Sequence, residues 1–436
     1  MKSARQRLLR HPVVLLFVVV LYKGLVDLAY ADTYHFYAYW GLFEWQPKPA
    51  SIALGWALAL VSTPVIYYCL VVGTLSSSIF LVLVLCAWYP FTALVGHRAD
   101  YPFAYIVAVS IYWLILSVSY RVIPVLSVAV LRKKAIVFLY PAVALLVFAV
   151  VYVWATYAGM HLQFHLFEGL YEQRALAREY AVPGYLGYVL IFADNFLPVV
   201  MLYFFLKKKP LLGGILAVVI FLNFSITASK QLIFLLAIAL LAGIFRKIRF
   251  TNQKVFIALL VLLAASLIEH LLFDSIVLNA LLPYRIMFIP SELHYSYFTF
   301  FSEGGFDFYR QGPLKFFFAS EYSTGIAFLV GEQAIGDLTA RANNGLFSAA
   351  FMNLGYIGAI LSPWPIAIFL RILDGAAAFT DNRLRPILIA YVSFVMIGIP
   401  LYTAALSSGF IGLILFLYLM GDYTENRIGG RAELVK

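Results

Sequence analysis

The sequence predicts an all-α polytopic membrane protein, and three observations support that fold class. The 436-residue chain is 64% hydrophobic and only 12% charged, about half the charged fraction of a soluble protein. Apolar runs of about twenty residues recur, each long enough to cross a hydrocarbon core of about 30 Å as a helix. Lipid permits only helices or closed barrels, and these runs lack the period-two alternation of a barrel strand.

Twelve apolar runs predict about twelve transmembrane helices in a single integral membrane domain, residues 1–436. The runs lie at 12–31, 52–72, 76–96, 102–120, 136–156, 184–206, 210–227, 231–245, 255–273, 345–370, 386–404 and 406–422. A basic start and the small residues Ala29 and Ala31 imitate a cleavable signal, but we expect the first run to stay as an anchor. Cys69 and Cys86 lie inside apolar runs, which predicts packing residues rather than a disulfide.

Lysine and arginine positions predict the orientation of these helices. Alternate loops hold 21 of the 31 basic residues, the opposite loops hold nine, and Lys23 lies inside the first run. The positive-inside rule therefore places the 21 residues and both termini in the cytoplasm. The net charge of +10 reflects this topology, so we expect no nucleic-acid partner.

Two of the predicted external loops are long, namely loop 3 (157–183) and loop 5 (274–344). Connections of this length usually carry function in a compact protein. Within loop 3, residues 159–180 predict an amphipathic helix near the membrane interface. Loop 5 mixes helical patterns with glycine and proline breaks.

Basic residues in the external loops are not explained by topology and are candidate ligands for a phosphate group. The candidates are Arg174, Arg178, Lys230, Arg285 and Arg341. Guanidinium groups make bidentate, charge-assisted hydrogen bonds to phosphate. The alternative is that these side chains snorkel at the interface or pair with Glu172, Glu179 and Glu292.

Asparagine and glycine residues surround the start of the tenth run. Asn343 and Asn344 offer donors and acceptors for hydroxyl or phosphate oxygens, although an asparagine at this position also suits a helix N-cap. Gly355 and Gly358 predict a close helix-packing surface rather than a ligand site.

Eleven Phe or Tyr residues lie between 295 and 318, beginning with Tyr295 and Tyr297. Aromatic rings stack on the apolar faces of sugars and line grooves for lipid tails. The alternative is an aromatic belt at the level of the lipid headgroups.

Ionisable residues also occur inside the apolar runs, where they usually mark function. Lys23 and Asp27 share a helix face and are expected to pair, whereas Asp194 and the Glu269–His270 pair are candidates for a water-filled cavity. Elsewhere, two histidines at 161 and 165 have zinc-like spacing but no evident third ligand. The sequence holds no nucleotide-binding fingerprint, and we expect neither a metal site nor a cofactor.

The sequence resembles the bacterial oligosaccharide repeat-unit polymerases, the Wzy-type O-antigen and exopolysaccharide polymerases. The resemblance covers most of the chain by topology, including arginines in external loops 3 and 5. Its loose motifs are ITASKQLIFLL (226–236), YRIMFIPSELHYSYFTFF (284–301) and NNGLFSAAFMNLGYIG (343–358). The related O-antigen ligases carry a histidine roughly where Asn343 stands, and this departure disfavours a ligase. Both families are similar to GT-C-type membrane glycosyltransferases.

The resemblance implies a glycosyltransferase in the bacterial inner membrane with its active site facing the periplasm. Its reaction would move a growing glycan from undecaprenyl pyrophosphate to the non-reducing end of a new lipid-linked repeat unit, without a cofactor. A polysaccharide chain-length regulator is a possible partner. A ligase or another lipid-linked glycan transferase is the first alternative, and a lipid-linked oligosaccharide flippase is the second.

The implied roles fall on residues already singled out. Arg285 and Arg341 would contact the pyrophosphate, supported by Arg174, Arg178 and Lys230. Sugar or phosphate oxygens would meet Asn343, Asn344, Tyr295 and Tyr297. Four residues are candidates for the base that deprotonates the acceptor hydroxyl, and none stands out: Glu172, Glu332, His165 and His294.

Overall fold

A computed structural model describes residue 9 and residues 11–98, 100–127, 136–164, 170–245, 247, 250–337 and 339–421. The α-helices in chain order are α1 Pro12–Tyr37, α2 Pro49–Val61, α3 Thr63–Val72, α4 Leu75–Leu83, α5 Tyr89–His97, α6 Phe103–Val122, α7 Ile136–Thr156, α8 Leu170–Glu179, α9 Gly184–Leu206, α10 Pro210–Thr227, α11 Lys230–Ile244, α12 Asn252–Phe273, α13 Val277–Asn279, α14 Ile289–Glu303, α15 Ile326–Ile335, α16 Leu346–Leu361, α17 Pro363–Ala376, α18 Arg385–Gly398, α19 Leu401–Leu406 and α20 Phe410–Met420. Two π-helical stretches, Val84–Trp88 and Ala280–Phe288, lead into α5 and α14. The described residues form helices and their connections, and no β-strand occurs among them.

Eight of the described helical stretches are long and apolar enough to cross a membrane. They are Pro12–Trp40, Pro49–Val72, Leu75–His97, Phe103–Val122, Val137–Thr156, Gly184–Leu206, Pro210–Thr227 and Asn252–Phe273. A ninth candidate is the pair formed by α16 and α17, which is bent by 69°. This is the architecture of a polytopic membrane protein. The other three predicted spans fall on the shorter helices α11, α18 and α20, so the count of twelve stays a prediction.

The chain divides into two compact units. The first unit comprises Met1–Pro124, Thr251–Arg371 and Ser393–Tyr402, and the second comprises Val125–Phe250, Ile372–Val392 and Thr403–Lys436. In the first unit Leu75–His97 is almost wholly buried and forms the centre of the core. Close approach of α2 to this stretch depends on Gly55, because a Cβ there would lie 2.4 Å from the Thr92 carbonyl oxygen.

Two predictions about the apolar runs are confirmed. Cys69 and Cys86 are buried, free cysteines. Lys23 and Asp27, one turn apart on α1, form an ion pair. Desolvation of a charged group is costly in such surroundings, and an ion pair offsets part of that cost.

Two other predictions are corrected by the structure. In the described part of predicted loop 3 the helix is α8, and residues 159–164 are not helical. At Gly355 the backbone of α16 breaks, with φ of 57° and ψ of −135°. A Cβ at that position would lie 2.5 Å from the Phe306 ring. Gly355 therefore permits a kink in α16 and the close packing of the Phe306 side chain against it. It does not form a packing surface between two straight helices.

The break in α16 also organises predicted loop 5. The amide groups of Asp307 and Phe308 donate to the carbonyl oxygens of Met352 and Asn353, at 3.0 and 3.2 Å. The Tyr309 amide donates to the Asn353 side chain at 2.7 Å. The loop is thus fixed to α16 where the helix leaves its own carbonyl groups accessible.

Candidate functional site

An extended segment, residues 341–345, precedes α16 and presents two of the predicted ligands. Arg341 and Asn343 are exposed, whereas Ala342 and Asn344 between and after them are each only 2% exposed. Successive side chains of an extended chain point to opposite sides. The segment therefore has a buried side that holds it and an outer side that carries Arg341 and Asn343. We call it the anchored segment.

The backbone of the anchored segment is fixed by its neighbours. The Ala342 amide donates to the Ala327 carbonyl oxygen of α15 at 2.9 Å, and the Tyr297 hydroxyl of α14 donates to the Ala342 carbonyl oxygen at 2.9 Å. Gly331 permits the close approach of α15, since a Cβ there would lie 2.2 Å from the Ala340 carbonyl oxygen. Tyr297, predicted to contact substrate, is itself buried and holds this backbone in place.

Asn344 anchors the segment through its side chain. Its Nδ2 donates to the Pro290 carbonyl oxygen and to the Ser348 Oγ, both at 2.8 Å. The Ser348 Oγ and the Asn344 Nδ2 lie 2.7 and 3.1 Å from His294 Nδ1. Because the amide nitrogen can only donate, Nδ1 is an acceptor and the ring proton is on Nε2. The alternative prediction, that an asparagine caps the helix, is wrong for α16, because its N-cap is Gly345 and no side chain caps it.

His294 is a neutral imidazole in this arrangement. Its side chain is 1% exposed, and burial lowers the pKa of His294 to about 3 because desolvation disfavours the charged ring. A ring whose Nδ1 is occupied and whose conjugate acid is so unstable is a weak proton acceptor. These contacts indicate that His294 positions Asn344 and does not act as the base.

An open groove of about 470 Å³ lies between the end of α14 and α15 in the first unit. Its lining residues are Phe300, Glu303, Gly304, Tyr322, Leu329, Glu332 and Gln333. Glu303 and Glu332 are exposed, so both carboxylates are available to a ligand. The Phe300 and Tyr322 rings lie 5.7 Å apart. We call this feature the carboxylate groove; Glu332 was predicted as a site residue, and Glu303 was missed.

Arg341 packs against α15, the helix that supplies Leu329, Glu332 and Gln333 to the carboxylate groove. Its Cζ is 4.8 Å from the centre of the Phe328 ring. Phe328 and Glu332 are four residues apart on α15 and therefore share a helix face. Among the described residues, the Arg341 guanidinium forms no ion pair with a carboxylate, which leaves its charge available.

Arg285 occupies the π-helical stretch that leads into α14. It is exposed, and its guanidinium group interacts electrostatically with the Tyr37 hydroxyl group. Tyr37 stacks on Tyr284 with ring centres 3.8 Å apart. Within the described part of the chain Arg285 pairs with no carboxylate, and the predicted alternative partner Glu292 is taken by Arg98 instead.

Sequence reasoning missed a buried charge cluster centred on Arg98, the Arg98 network. Arg98 Nη1 lies 2.8 Å from Glu292 Oε2, Nε lies 2.9 Å from Asp100 Oδ1, and Nη2 lies 3.2 Å from Glu44 Oε1. The Tyr101 hydroxyl donates to Glu292 Oε2 at 2.8 Å. Arg98 was visible only as one of nine external basic residues, and its buried partner Glu292 lies 194 positions away.

Tyr295, another predicted ligand, packs against the Arg98 network. The Arg98 Cζ lies 5.2 Å from the centre of the half-buried Tyr295 ring, a cation–π contact. Burial raises the pKa of Glu292 to about 7 against the opposing effect of Arg98. Its Oε1 has no hydrogen-bond partner among the described residues. The cluster ties α14 to the α5–α6 connection.

The remaining candidates belong to the second unit or lie outside the described residues. Glu172 is exposed on α8. Arg174 and Arg178 also lie on α8, but their side chains, like the whole of His165, fall outside the described part. Lys230 is the first residue of α11. A common site for these residues and the anchored segment stays a prediction.

Comparison of the chain with protein-family models, curated proteins and solved structures found no match. Its function must therefore be inferred from its own residues.

Proposed function

We propose that the protein is a membrane glycosyltransferase that polymerises oligosaccharide repeat units linked to undecaprenyl pyrophosphate. One observation supports this most: the anchored segment presents Arg341 and Asn343 on a fixed backbone against α15, and the same helix supplies one wall of a groove with two accessible carboxylates and two aromatic rings. An unpaired cation for a diphosphate, a carboxylate base and rings for a sugar are the groups that such a reaction needs.

In the proposed reaction the acceptor hydroxyl oxygen attacks the anomeric carbon of the donor glycan. The new glycosidic bond forms as the bond from that carbon to the pyrophosphate oxygen breaks, and undecaprenyl pyrophosphate leaves with the electron pair. Glu332 takes the hydroxyl proton, because it is the predicted base that lines the groove. Arg341, with Arg285 as a second cation, stabilises the charge that develops on the leaving group.

The proposed setting completes this assignment. We place the reaction at the periplasmic face of a bacterial inner membrane, with twelve helices, both termini in the cytoplasm and a GT-C-like arrangement. The second-unit residues Arg174, Arg178 and Lys230 support pyrophosphate binding in this proposal. The protein needs no nucleotide, because the donor is already activated, and a chain-length regulator is its proposed protein partner.

The test is complementation of a strain that lacks the gene, with the extracted glycan separated on a gel. Arg341→Ala and Glu332→Gln should leave glycans stalled at one repeat unit, with normal protein abundance by immunoblot. Arg310→Ala is the matched control, because Arg310 lies in the same predicted loop but is already paired with Glu321 at 2.5 Å. The control should give a normal ladder.

The same gel distinguishes the alternatives. Long polymer that remains on its lipid carrier would indicate a ligase, and single units trapped on the cytoplasmic side would indicate a flippase. Normal ladders from both Arg341→Ala and Glu332→Gln would remove the proposed site.

A further inference from the structure

The second unit contains a polar cluster at the junction of α10 and α11, which we call the polar break. It comprises the buried residues Asp194 and Asn223 and the half-buried residues Thr227 and Ser229. Asp194 and Asn223 are 6% and 0% exposed, although both lie within helices long enough to span a membrane. Such residues are costly in an apolar environment and usually mark a binding site or a conduction path. The proposed glycosyltransferase mechanism does not use them.

The hydrogen bonds of the polar break converge on one carboxylate. Asn223 Nδ2 donates to Asp194 Oδ1 at 2.6 Å, and Thr227 Oγ1 donates to the same oxygen at 3.2 Å. Ser229, the N-cap residue of α11, lies close to the same carboxylate. Asp194 is thus arranged as an acceptor, as an ionised carboxylate is.

A second observation is an amide oxygen in the cluster that accepts no hydrogen bond. Asn223 Oδ1 is buried and has no hydrogen-bond partner among the described residues, while Nδ2 of the same amide donates to Asp194 Oδ1 and to the Leu190 carbonyl oxygen. The amide cannot be turned to improve this, because both contacts of Nδ2 are with acceptors. An amide oxygen that is buried without a hydrogen-bond partner is unfavourable, and a bound ion would supply the contact.

Two helix ends meet at the polar break. α10 ends at Thr227, where Ala228 adopts a left-handed conformation with φ of 46°, and the C-terminal end of a helix carries partial negative charge. α11 begins at Lys230, and the partial positive charge of its N-terminus opposes that effect. The Asp194 carboxylate is therefore the group that favours a cation here.

We propose that the polar break binds a small monovalent cation, with sodium as its natural ligand. The donors are all oxygens, which suit a hard cation. One carboxylate neutralises one positive charge, whereas a divalent ion would leave a net charge buried among apolar helices. The bound ion would contact the Asp194 carboxylate and Asn223 Oδ1 and hold the end of α10 against α9. This inference is independent of the proposed glycosyltransferase activity.

The experiment uses the purified full chain in detergent and measures its unfolding temperature at fixed ionic strength. Sodium chloride should raise the unfolding temperature by several degrees relative to choline chloride, with saturation, and potassium chloride should do so less. Direct binding of ²²Na⁺ gives the second measurement. Asp194→Asn should abolish both responses. Thr227→Val keeps the carboxylate and should weaken sodium binding at least tenfold. This second variant provides the test if Asp194→Asn does not fold.

Asp32→Asn is the matched control, because Asp32 is also a buried aspartate in an apolar helix but is already bonded to Asn279 at 3.1 Å and to His270. It should keep the full sodium response. Equal unfolding temperatures in sodium and choline chloride would overturn the proposal and would indicate a proton or the Lys230 ammonium as the counter-charge. A sodium response that survives in Asp194→Asn would also overturn it.

Discussion

Asn343 and Asn344 are adjacent residues of one type with opposite surroundings, which makes them a sharp test of the anchored segment. Asn343 is exposed, whereas Asn344 is 2% exposed and donates two hydrogen bonds of 2.8 Å. Replacing each with alanine in turn therefore separates anchoring from ligand contact. Asn344→Ala should reduce stability, and Asn343→Ala should reduce only the proposed activity.

The magnitude follows from the contacts of Asn344. Alanine leaves the Ser348 hydroxyl without its donor, at about 1–3 kcal/mol, and removes from the Pro290 carbonyl oxygen of α14 a hydrogen bond worth about 1 kcal/mol. The cavity left by the truncated side chain adds about 1 kcal/mol. We expect Asn344→Ala to lose about 4 kcal/mol in total and Asn343→Ala to change stability by less than about 0.5 kcal/mol. Ser348→Ala should fall between them.

The assay pairs thermal unfolding of the purified protein in detergent with the glycan gel. The unfolding temperature of Asn344→Ala should drop by on the order of 10 °C, and that of Asn343→Ala should equal the parent value. Asn343→Ala should nevertheless shorten the glycan ladder. An unfolding temperature of Asn344→Ala equal to that of the parent protein would refute the anchoring role of Asn344. A drop for Asn343→Ala as large as that for Asn344→Ala would refute the assignment of Asn343 to the outer side.

Three further predictions concern stability and share the unfolding measurement. Gly355→Ala should lower the free energy of unfolding by more than about 3 kcal/mol, because it combines a positive φ with a clash. Gly73 has a positive φ but open space around it, so Gly73→Ala should lower it by only about 1–2 kcal/mol. Equal losses for the two variants would contradict this. Because the folded-state pKa of His294 is about 3 and its unfolded value is about 6.5, only the unfolded chain binds the proton between these values. Stability should fall by about 1.4 kcal/mol per pH unit below pH 6.5, and His294→Gln should remove that component; an unchanged pH slope would contradict it. Arg98→Ala should cost about 3–5 kcal/mol because it strands a buried charge, and adding Glu292→Gln should recover part of the loss; no recovery would contradict the pairing.

The sequence predicts those helices and residue pairs that are determined by residues close together in the chain. Each apolar run carries its own signal, so the long helices and the Lys23–Asp27 pair, four residues apart, could be inferred from nearby residues. The Arg98–Glu292 pair could not, since its members lie 194 positions apart and only the fold brings them together. A charge in a predicted external loop gives no sign that it will be buried.

The candidate site shows the same limit at closer range. The residue types at 341–344 suggested phosphate and hydroxyl ligands, but identical side chains at Asn343 and Asn344 carry no information about which one is buried. That choice is made by partners on α14 and α15, such as the Ala327 carbonyl oxygen and His294. The two glycines of α16 likewise suggested close packing, while the actual demand at Gly355 is a backbone angle that tertiary contacts impose.

A fixed backbone beneath Arg341 has a consequence for the proposed chemistry. A cation on a mobile loop must be ordered when the diphosphate binds, and the lost freedom opposes binding. The hydrogen bonds to Ala342 and Asn344 order the anchored segment during folding instead, so only the Arg341 side chain remains to be fixed. The guanidinium is then already placed when charge develops on the leaving group, which is the condition under which an electrostatic contact lowers a barrier most. Loosening the buried side of the segment should therefore slow the transfer even though no buried residue touches the substrate.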